Sequence, residues 1–355
     1  MDTESPISIS IVVACRNEAG HIASFLDSLF AQDLHGMEWE AILADGMSDD
    51  TTPAILRDYS LRHPRLRVIE NPGRIVSTGL NAAIRASRGE IILRMDAHTR
   101  YAPDYCRRCV GELQRTGADN TGGPARTDAQ SVRARAIAAA YHSRFSTGGA
   151  RFHDESFEGW VDTVPYGCWR KQTLLRLGMF DEALVRNQDD ELNLRLVRSG
   201  GRIWQSPGIR SWYSLRSSLS ALFHQYFQYG FWKVAVIRKH RIPASWRHLV
   251  PVTFVIANAV LLSGMAISAA GRFGDWLRTL TAVWLAMAAA YGAAILLASV
   301  SVAAHKGMEM LPFLPPVFAA FHLSYGLGFC AGLLRFLSRS GLHVKADSVF
   351  ARITR

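Results

Sequence analysis

The sequence is poor in cysteine. The five in 355 residues, Cys15, Cys106, Cys109, Cys168 and Cys330, are an odd and scattered set. That excludes a disulfide framework and favours a reducing compartment. Cys106 and Cys109 form a C-x-x-C, but no second Cys or His pair follows at zinc spacing, so they read as two incidental thiols on a helix spanning Tyr105 to Gln114. The net charge is +10, yet the arginines are dispersed and neither a basic helix nor an RNA-binding signature accompanies them. Nucleic acid is therefore set aside as a partner, and anionic lipid or phosphorylated ligands match the charge better. A signal peptide is missing too: Met1 to Pro6 is acidic and polar, and the first apolar run, Ile7 to Cys15, is too short. This predicts an amino-terminal domain that stays in the cytoplasm. Charged side chains are absent from three stretches, Leu249 to Gly271, Thr279 to His305 and Met310 to Leu334. Each is longer than the roughly 20 residues that span a bilayer, which excludes a wholly soluble protein. About 240 residues precede them, enough for one well-cored domain.

What that first part contains is an alternation. Ile7 to Ala14 is a β-branched run ending in Arg16-Asn17-Glu18, followed by a helical pattern of Ile22, Phe25, Leu26, Leu29 and Phe30. Trp39 to Ala44 repeats the strand, Asp45 to Asp50 the polar loop, and Thr52 to Arg62 the helix, with Asp50 or Thr51 as its cap. Leu66 to Glu70 reads as a third strand, Ile75 to Ala86 as a helix, and Glu90 to Met95 as a fourth strand running into Asp96. Such alternation predicts an α/β domain with a largely parallel sheet covered on both faces. Ligands then bind beyond the carboxyl ends of the strands, which selects Arg16, Asn17 and Glu18, then Asp45, then Asp96 and His98. Any one of these residues alone could be a turn former or a helix cap.

Four motifs, Val12 to Glu18, Ala44 to Thr51, Met95 to His98 and Asn187 to Arg195, resemble in order and spacing those of family 2 glycosyltransferases. The resemblance covers about Ser8 to Arg216. It implies the GT-A fold, a Rossmann-like nucleotide-sugar-binding domain, with a UDP-sugar as the family's commonest donor. It also implies that Ala14, Arg16, Glu18 and Asp45 line the nucleotide, and that Arg74 is a diphosphate or base contact or else a solvated loop residue. Asp96 matches the first carboxylate of the family's D-x-D motif, and His98 stands where the metal-binding carboxylate is usual. A Mn²⁺ or Mg²⁺ ion is the implied cofactor, and imidazole favours manganese. Asp189 matches the catalytic base, with Gln188 replacing the usual Glu and with Asp190 and Glu191 as rivals or helix-dipole partners. Tyr166, Gly167, Trp169 and Asp190 are implied on the acceptor side; the aromatics among them are alternatively core residues. Gly122-Gly123-Pro124 reads as a turn near the donor.

The run Gln225 to Lys233, followed by apolar stretches, resembles a membrane-attached branch of the family typified by succinoglycan-type exopolysaccharide synthesis. Gln225, Gln228 and Tyr229 fall on the acceptor motif of processive members, with its Arg and Trp replaced, which favours a single sugar addition. The domain reading is thus 1–216 for the GT-A domain, 217–248 for an aromatic and basic interfacial segment, 249–338 for a transmembrane region, and 339–355 for a basic tail. Three spans would put that tail on the far side of the membrane from the catalytic domain, against the positive-inside rule, unless Pro312 to Leu334 is re-entrant. The leading functional expectation is an inverting, metal-dependent transferase at the inner membrane, its catalytic domain facing the cytoplasm. It would move a hexose from a UDP-sugar to a polyprenyl-linked saccharide. The alternatives are a polyprenyl-phosphate monosaccharide transferase and a degenerate nucleotide-sugar-binding membrane subunit.

Overall fold

The computed structural model describes residues 8–215, 218–243, 245–271 and 274–337. The basic tail expected at 339–355 lies outside the described residues. Two compact units divide the chain. One ends at Asp128 and resumes over Ala150–Ser214; the other comprises Ala129–Gly149 and the chain from Leu215 on. The segment 129–149, which lies inside the expected 1–216 domain, groups with the later part of the chain.

The first unit is built on β1 (Ser8–Cys15), β2 (Glu38–Asp45), β3 (Leu66–Glu70) and β4 (Ile91–Arg94), all parallel, in the spatial order β3-β2-β1-β4. Helices α1 (Ile22–Phe30), α2 (Thr52–Arg62) and α3 (Val76–Ala86) connect them. Because successive strand residues face opposite sides, Ile9, Ile11, Val13 and Cys15 enter one core with the apolar stripe of α1, while Val12 enters the other with Leu80, Ala83 and Ile84 of α3. Gly79 is required in α3, since a Cβ there would come within 2.9 Å of the Ala14 Cβ. The small residue lets the helix close on the sheet beside the strand ends.

After β4 come β5 (Thr99–Tyr101), α4 (Tyr105–Thr116), β6 (Asn120–Gly122) and β7 (Thr127–Asp128). The chain then leaves for the second unit as α5 (Val132–Tyr141) and α6 (Arg144–Thr147). On return it forms β8 (Gly159–Val161), β9 (Cys168–Arg170), α7 (Lys171–Leu177), α8 (Gln188–Arg198), β10 (Ile203–Gln205) and β11 (Ser211–Ser214). β9 joins β4 antiparallel and extends the sheet to eight strands through β6, β10 and β8, while β5, β11 and β7 form a second, small sheet. The fold is a mixed α/β sheet, as the alternation of strands and helices in the sequence predicts. Cys106 and Cys109 are buried on α4, where burial pushes both thiols well up, so neither is a reactive pair.

The second unit holds α9 (Leu219–His240), α10 (Val250–Ala270), α11 (Gly274–Lys306) and α12 (Leu314–Leu337). Three helical segments, Trp246–Ala270, Gly274–Lys306 and Leu314–Phe336, are long and apolar enough to cross a membrane. The expected interfacial stretch is a 22-residue helix whose middle, Phe231, Trp232 and Val234 to Val236, is buried within this unit.

Candidate active site

The parallel strands end together. Cys15 is in register with Asp45, and Asp45 with Glu70, while the Met95 N–H donates to the Val12 carbonyl as β4 runs out. Asp45, the 16–18 loop and Asp96 therefore share one edge of the sheet.

Two loops on that edge are stitched to each other. Asn17, held at φ +55°, donates from its side chain to Asp49 at 2.8 Å and accepts from the Asp49 N–H at 3.0 Å. The Glu18 N–H donates to Thr52 Oγ1 at 2.9 Å, and the Ala19 N–H to Asp50 at 3.2 Å. Asp50 also accepts from the Thr52 N–H, so it is the cap of α2 rather than Thr51. Asp45 accepts from the Ser48 N–H and hydroxyl at 3.1 and 2.5 Å, which fixes its carboxylate before any ligand arrives. The Asn71 N–H donates to the Asp45 carbonyl at 2.7 Å, and the turn after it carries Arg74 at φ +58° with its side chain exposed. Arg16 lies against Gly46, and its buried Nε has no hydrogen-bond partner. An unpartnered buried donor beside Asp45 is suited to an anionic ligand.

Asp96 and His98 meet as the i, i+2 spacing requires. His98 Nδ1 is 3.0 Å from Asp96 Oδ1 and 3.5 Å from Glu18 Oε1, with Tyr213 against the ring at 5.5 Å. Burial alone would lower the imidazole pKa, but the Asp96 and Glu18 carboxylates carry it up to about 11. Asp96 moves the other way: burial raises it, and His98 and Arg94 together hold it below its ordinary value. The residues fit a divalent ion. The 3.0 Å contact is a charge-assisted hydrogen bond from the protonated imidazole, so a cation would bind by displacing that proton, after which Asp96 offers an oxygen and His98 a nitrogen ligand. Among the described residues no group of three or more His, Cys, Asp or Glu is arranged to hold a metal, so ligand oxygens would complete the coordination.

Opposite this pair is Asp189, in the first turn of α8. Arg94, the last residue of β4, donates through Nη1 to Asp189 Oδ1. The arginine is almost wholly enclosed, 5% exposed against 37% for Asp189, and lies 5.9 Å from the rings of both Tyr166 and Phe180. Although Asp189 reaches the surface, crowding by protein atoms raises its pKa and Arg94 only partly reverses this. Arg94 senses the charge of both Asp189 and Asp96. Sequence reasoning missed it. The available signal was a charge closing the apolar strand Ile91-Ile92-Leu93, where a buried cation demands a partner.

Other expectations are corrected. Glu191 is no rival base: it is fully buried, and Arg195 grips both its oxygens at 2.8 to 3.0 Å while also donating to the Met179 carbonyl at 2.5 Å. Trp169 does not stack on an acceptor, because it is 1% exposed in the core beside Phe180. Its ring explains Gly167 instead, where an added Cβ would fall 2.3 Å from the indole. Gly123 serves packing in the same way, a Cβ there meeting the Ile209 carbonyl at 1.9 Å. Tyr166, at φ +60°, accepts or donates at 2.6 Å with Thr99 and stays part-exposed beside Arg94. Asp190 is part-exposed one residue after Asp189. Gln225 donates to the Tyr229 hydroxyl at 3.0 Å on α9, in the second unit.

A buried polar chain orients this side of the site. Asn120 donates to Asn193 at 3.0 Å, Asn193 to Thr163 at 2.8 Å, and the Cys168 N–H to Asn120 at 3.1 Å. It ties α8 to β6 and to the loop carrying Tyr166.

The sequence matches the description "Glycosyl transferase family 2" over residues 10–170. It is 30% identical over 342 residues to the succinoglycan biosynthesis protein ExoA of Rhizobium meliloti (strain 1021), covering 95% of this chain and 98% of that one. The chain belongs to glycosyl transferase family 2. A second relative of this glycosyltransferase, from Methanococcus voltae, is a dolichyl N-acetyl-alpha-D-glucosaminyl phosphate 3-beta-D-2,3-diacetamido-2,3-dideoxy-beta-D-glucuronosyltransferase. It is 26% identical over 73% of this chain and 83% of its own length. The fold is shared with the mannosyltransferase PcManGT from Pyrobaculum calidifontis, solved with GDP-Man and Mn²⁺, at a TM-score of 0.56 and 20% identity over 91% of this chain and 88% of that one.

Proposed function

We propose that this glycosyltransferase is an inverting, metal-dependent enzyme that moves a hexose from a UDP-sugar to a polyprenyl-linked saccharide at a membrane, in exopolysaccharide or cell-envelope glycan synthesis. The observation that carries the reading is the pairing on one sheet edge of the Asp96–His98 cradle with an arginine-held carboxylate, Asp189. Asp96 and His98 would hold Mn²⁺ or Mg²⁺, which when bound neutralises the leaving diphosphate. Asp45 and Arg16 take the nucleoside side, and Arg74 reaches the ligand from the neighbouring turn. Arg94 occupies Oδ1 of Asp189 and leaves Oδ2 for an acceptor hydroxyl. As the acceptor oxygen bonds to the anomeric carbon, its proton passes to Oδ2 and the bond to the diphosphate breaks on the opposite face, inverting the centre. Relatives named for succinoglycan biosynthesis and for transfer to a dolichyl-linked sugar support a lipid-linked acceptor. A GDP-sugar bound by the structural relative makes the base a choice to be tested.

The test incubates membranes containing the full chain with radiolabelled UDP- and GDP-sugars and bacterial lipid extract. The expected result is label from a UDP-sugar in the lipid fraction, released on mild acid hydrolysis at the non-reducing end of an oligosaccharide. Label released as a monosaccharide would instead make polyprenyl phosphate the acceptor. Label from GDP-sugars alone would overturn the uridine assignment. No nucleotide release with any donor would leave a binding subunit.

A further inference from the structure

The three apolar helices do not stand alike in the second unit. α10 and α11 bury few side chains, and their apolar residues, such as Val260, Leu262, Ile267, Val283 and Leu285, are exposed around the helices. Half of the corresponding window of α12 is buried by protein.

Chain connectivity fixes a reference side. Residues 129–149 leave the catalytic unit and return to it, and they carry Arg133, Arg135 and Arg144, so α5 and α6 remain on that unit's side of any bilayer. Three contacts then tie the ends of the apolar helices to this side. Gly148 lies against the stem of Arg247, just before α10 begins. Arg135 pairs at 3.0 Å with Glu309, just after α11 ends. His322 is bonded at 2.9 Å to the Phe145 carbonyl of α6.

α9 decides the role of α12. It runs parallel to α12 in close register: a Cβ at Gly230 would meet the Tyr325 carbonyl, one at Gly328 the Phe227 carbonyl and one at Gly332 the Phe231 carbonyl. Farther along, Arg238 donates to the Phe336 carbonyl. Had α9 crossed, the chain would have to recross between His240 and Arg247, whose maximal reach is about 25 Å. Lys233 and Arg335 are also enclosed within the pair, where full immersion in hydrocarbon would be costly.

The geometry points to a membrane crossed only by the α10–α11 hairpin, with α9 and α12 forming a helical pair seated in the interface on the catalytic side. The lipid bilayer is the partner of both surfaces, inserted for the hairpin and interfacial for the pair. The chain then leaves α12 on the side where it began. This brings the lysine and arginine residues after Leu337 into agreement with the positive-inside rule, which a third span violates.

The inference rests on the apolar helices meeting a bilayer, and carbonate extraction tests that separately: the full chain should stay with the membrane pellet. Cysteines introduced one at a time at Gln114, Asp275 and Ser348, in a Cys330→Ser background that keeps the four buried native thiols, are then probed with an impermeant maleimide in sealed vesicles of known orientation. Gln114→Cys and Ser348→Cys should label from one side, and Asp275→Cys, at the hairpin turn, from the other. Labelling of Ser348→Cys together with Asp275→Cys, opposite Gln114→Cys, would establish a third span and overturn the inference. Labelling of all three from one side would overturn the hairpin. A reporter fused to the C-terminus of the unsubstituted chain reads the same topology without cysteine changes.

Discussion

As the proposed base, Asp189 needs two properties, a place opposite the leaving group and a proton affinity suited to accepting a proton. Its pKa lies above the ordinary carboxylate value of 3.8 because burial outweighs Arg94. A base works only when deprotonated, so kcat should fall as pH drops through that raised value. Replacing Arg94 by Gln removes the one opposing charge, and the acid limb of the kcat profile should then move to higher pH; an unmoved limb would separate Arg94 from the base. At the other pole, activity should be lost in a chelator and restored best by Mn²⁺. His98→Asp, which exchanges nitrogen for hard oxygen, should retain turnover and shift the preference toward Mg²⁺. Turnover unaffected by strong chelation would remove the cation from the account.

Helix α8 carries the proposed base and a structural carboxylate two residues apart. Glu191 is fully buried against Arg195, whereas Asp189 opens outward. Glu191→Gln should therefore cost about 1–3 kcal/mol of stability, seen as a lowered thermal midpoint, because it leaves the part-buried Arg195 guanidinium without its carboxylate and with only the Leu177 and Met179 carbonyls to hold it. Asp189→Asn should leave that midpoint nearly unchanged. The sequence did not distinguish them, since both are acids in the first turn of an amphipathic helix. Strand ends were legible because β-branched runs stop at polar loops, and β3 and α2 lie at the bounds their patterns predict. The Arg94–Asp189 bond joins residues far apart in sequence through the antiparallel insertion of β9, and no local pattern carries such a pairing. Trp169 was misplaced for a related reason: an aromatic beside a glycine looks the same whether the glycine admits a sugar or the ring itself.

For the whole molecule, the excursion at 129–149 changes what a truncation does. Its α5 contributes Ala136, Ile137 and Ala140 to a core otherwise made by α9, α11 and α12. Cutting the chain after Ser214 leaves that face uncovered, and the fragment should aggregate. Replacing 129–149 with a short Gly-Ser linker in the same fragment should yield a monodisperse domain that binds nucleotide, measured by light scattering and ligand titration; this is favoured by the Ala125 N–H to Phe152 carbonyl bond, which keeps the two chain segments together. If the simple truncation is already monodisperse, the excursion is a passenger. Inverting displacement with Asp189 as the proposed base is tested most directly by turnover of Asp189→Asn in the full chain, in membranes, at saturating donor and acceptor. A loss of about 10²- to 10⁴-fold with donor affinity little changed is expected; turnover equal to that of the parent would contradict this role.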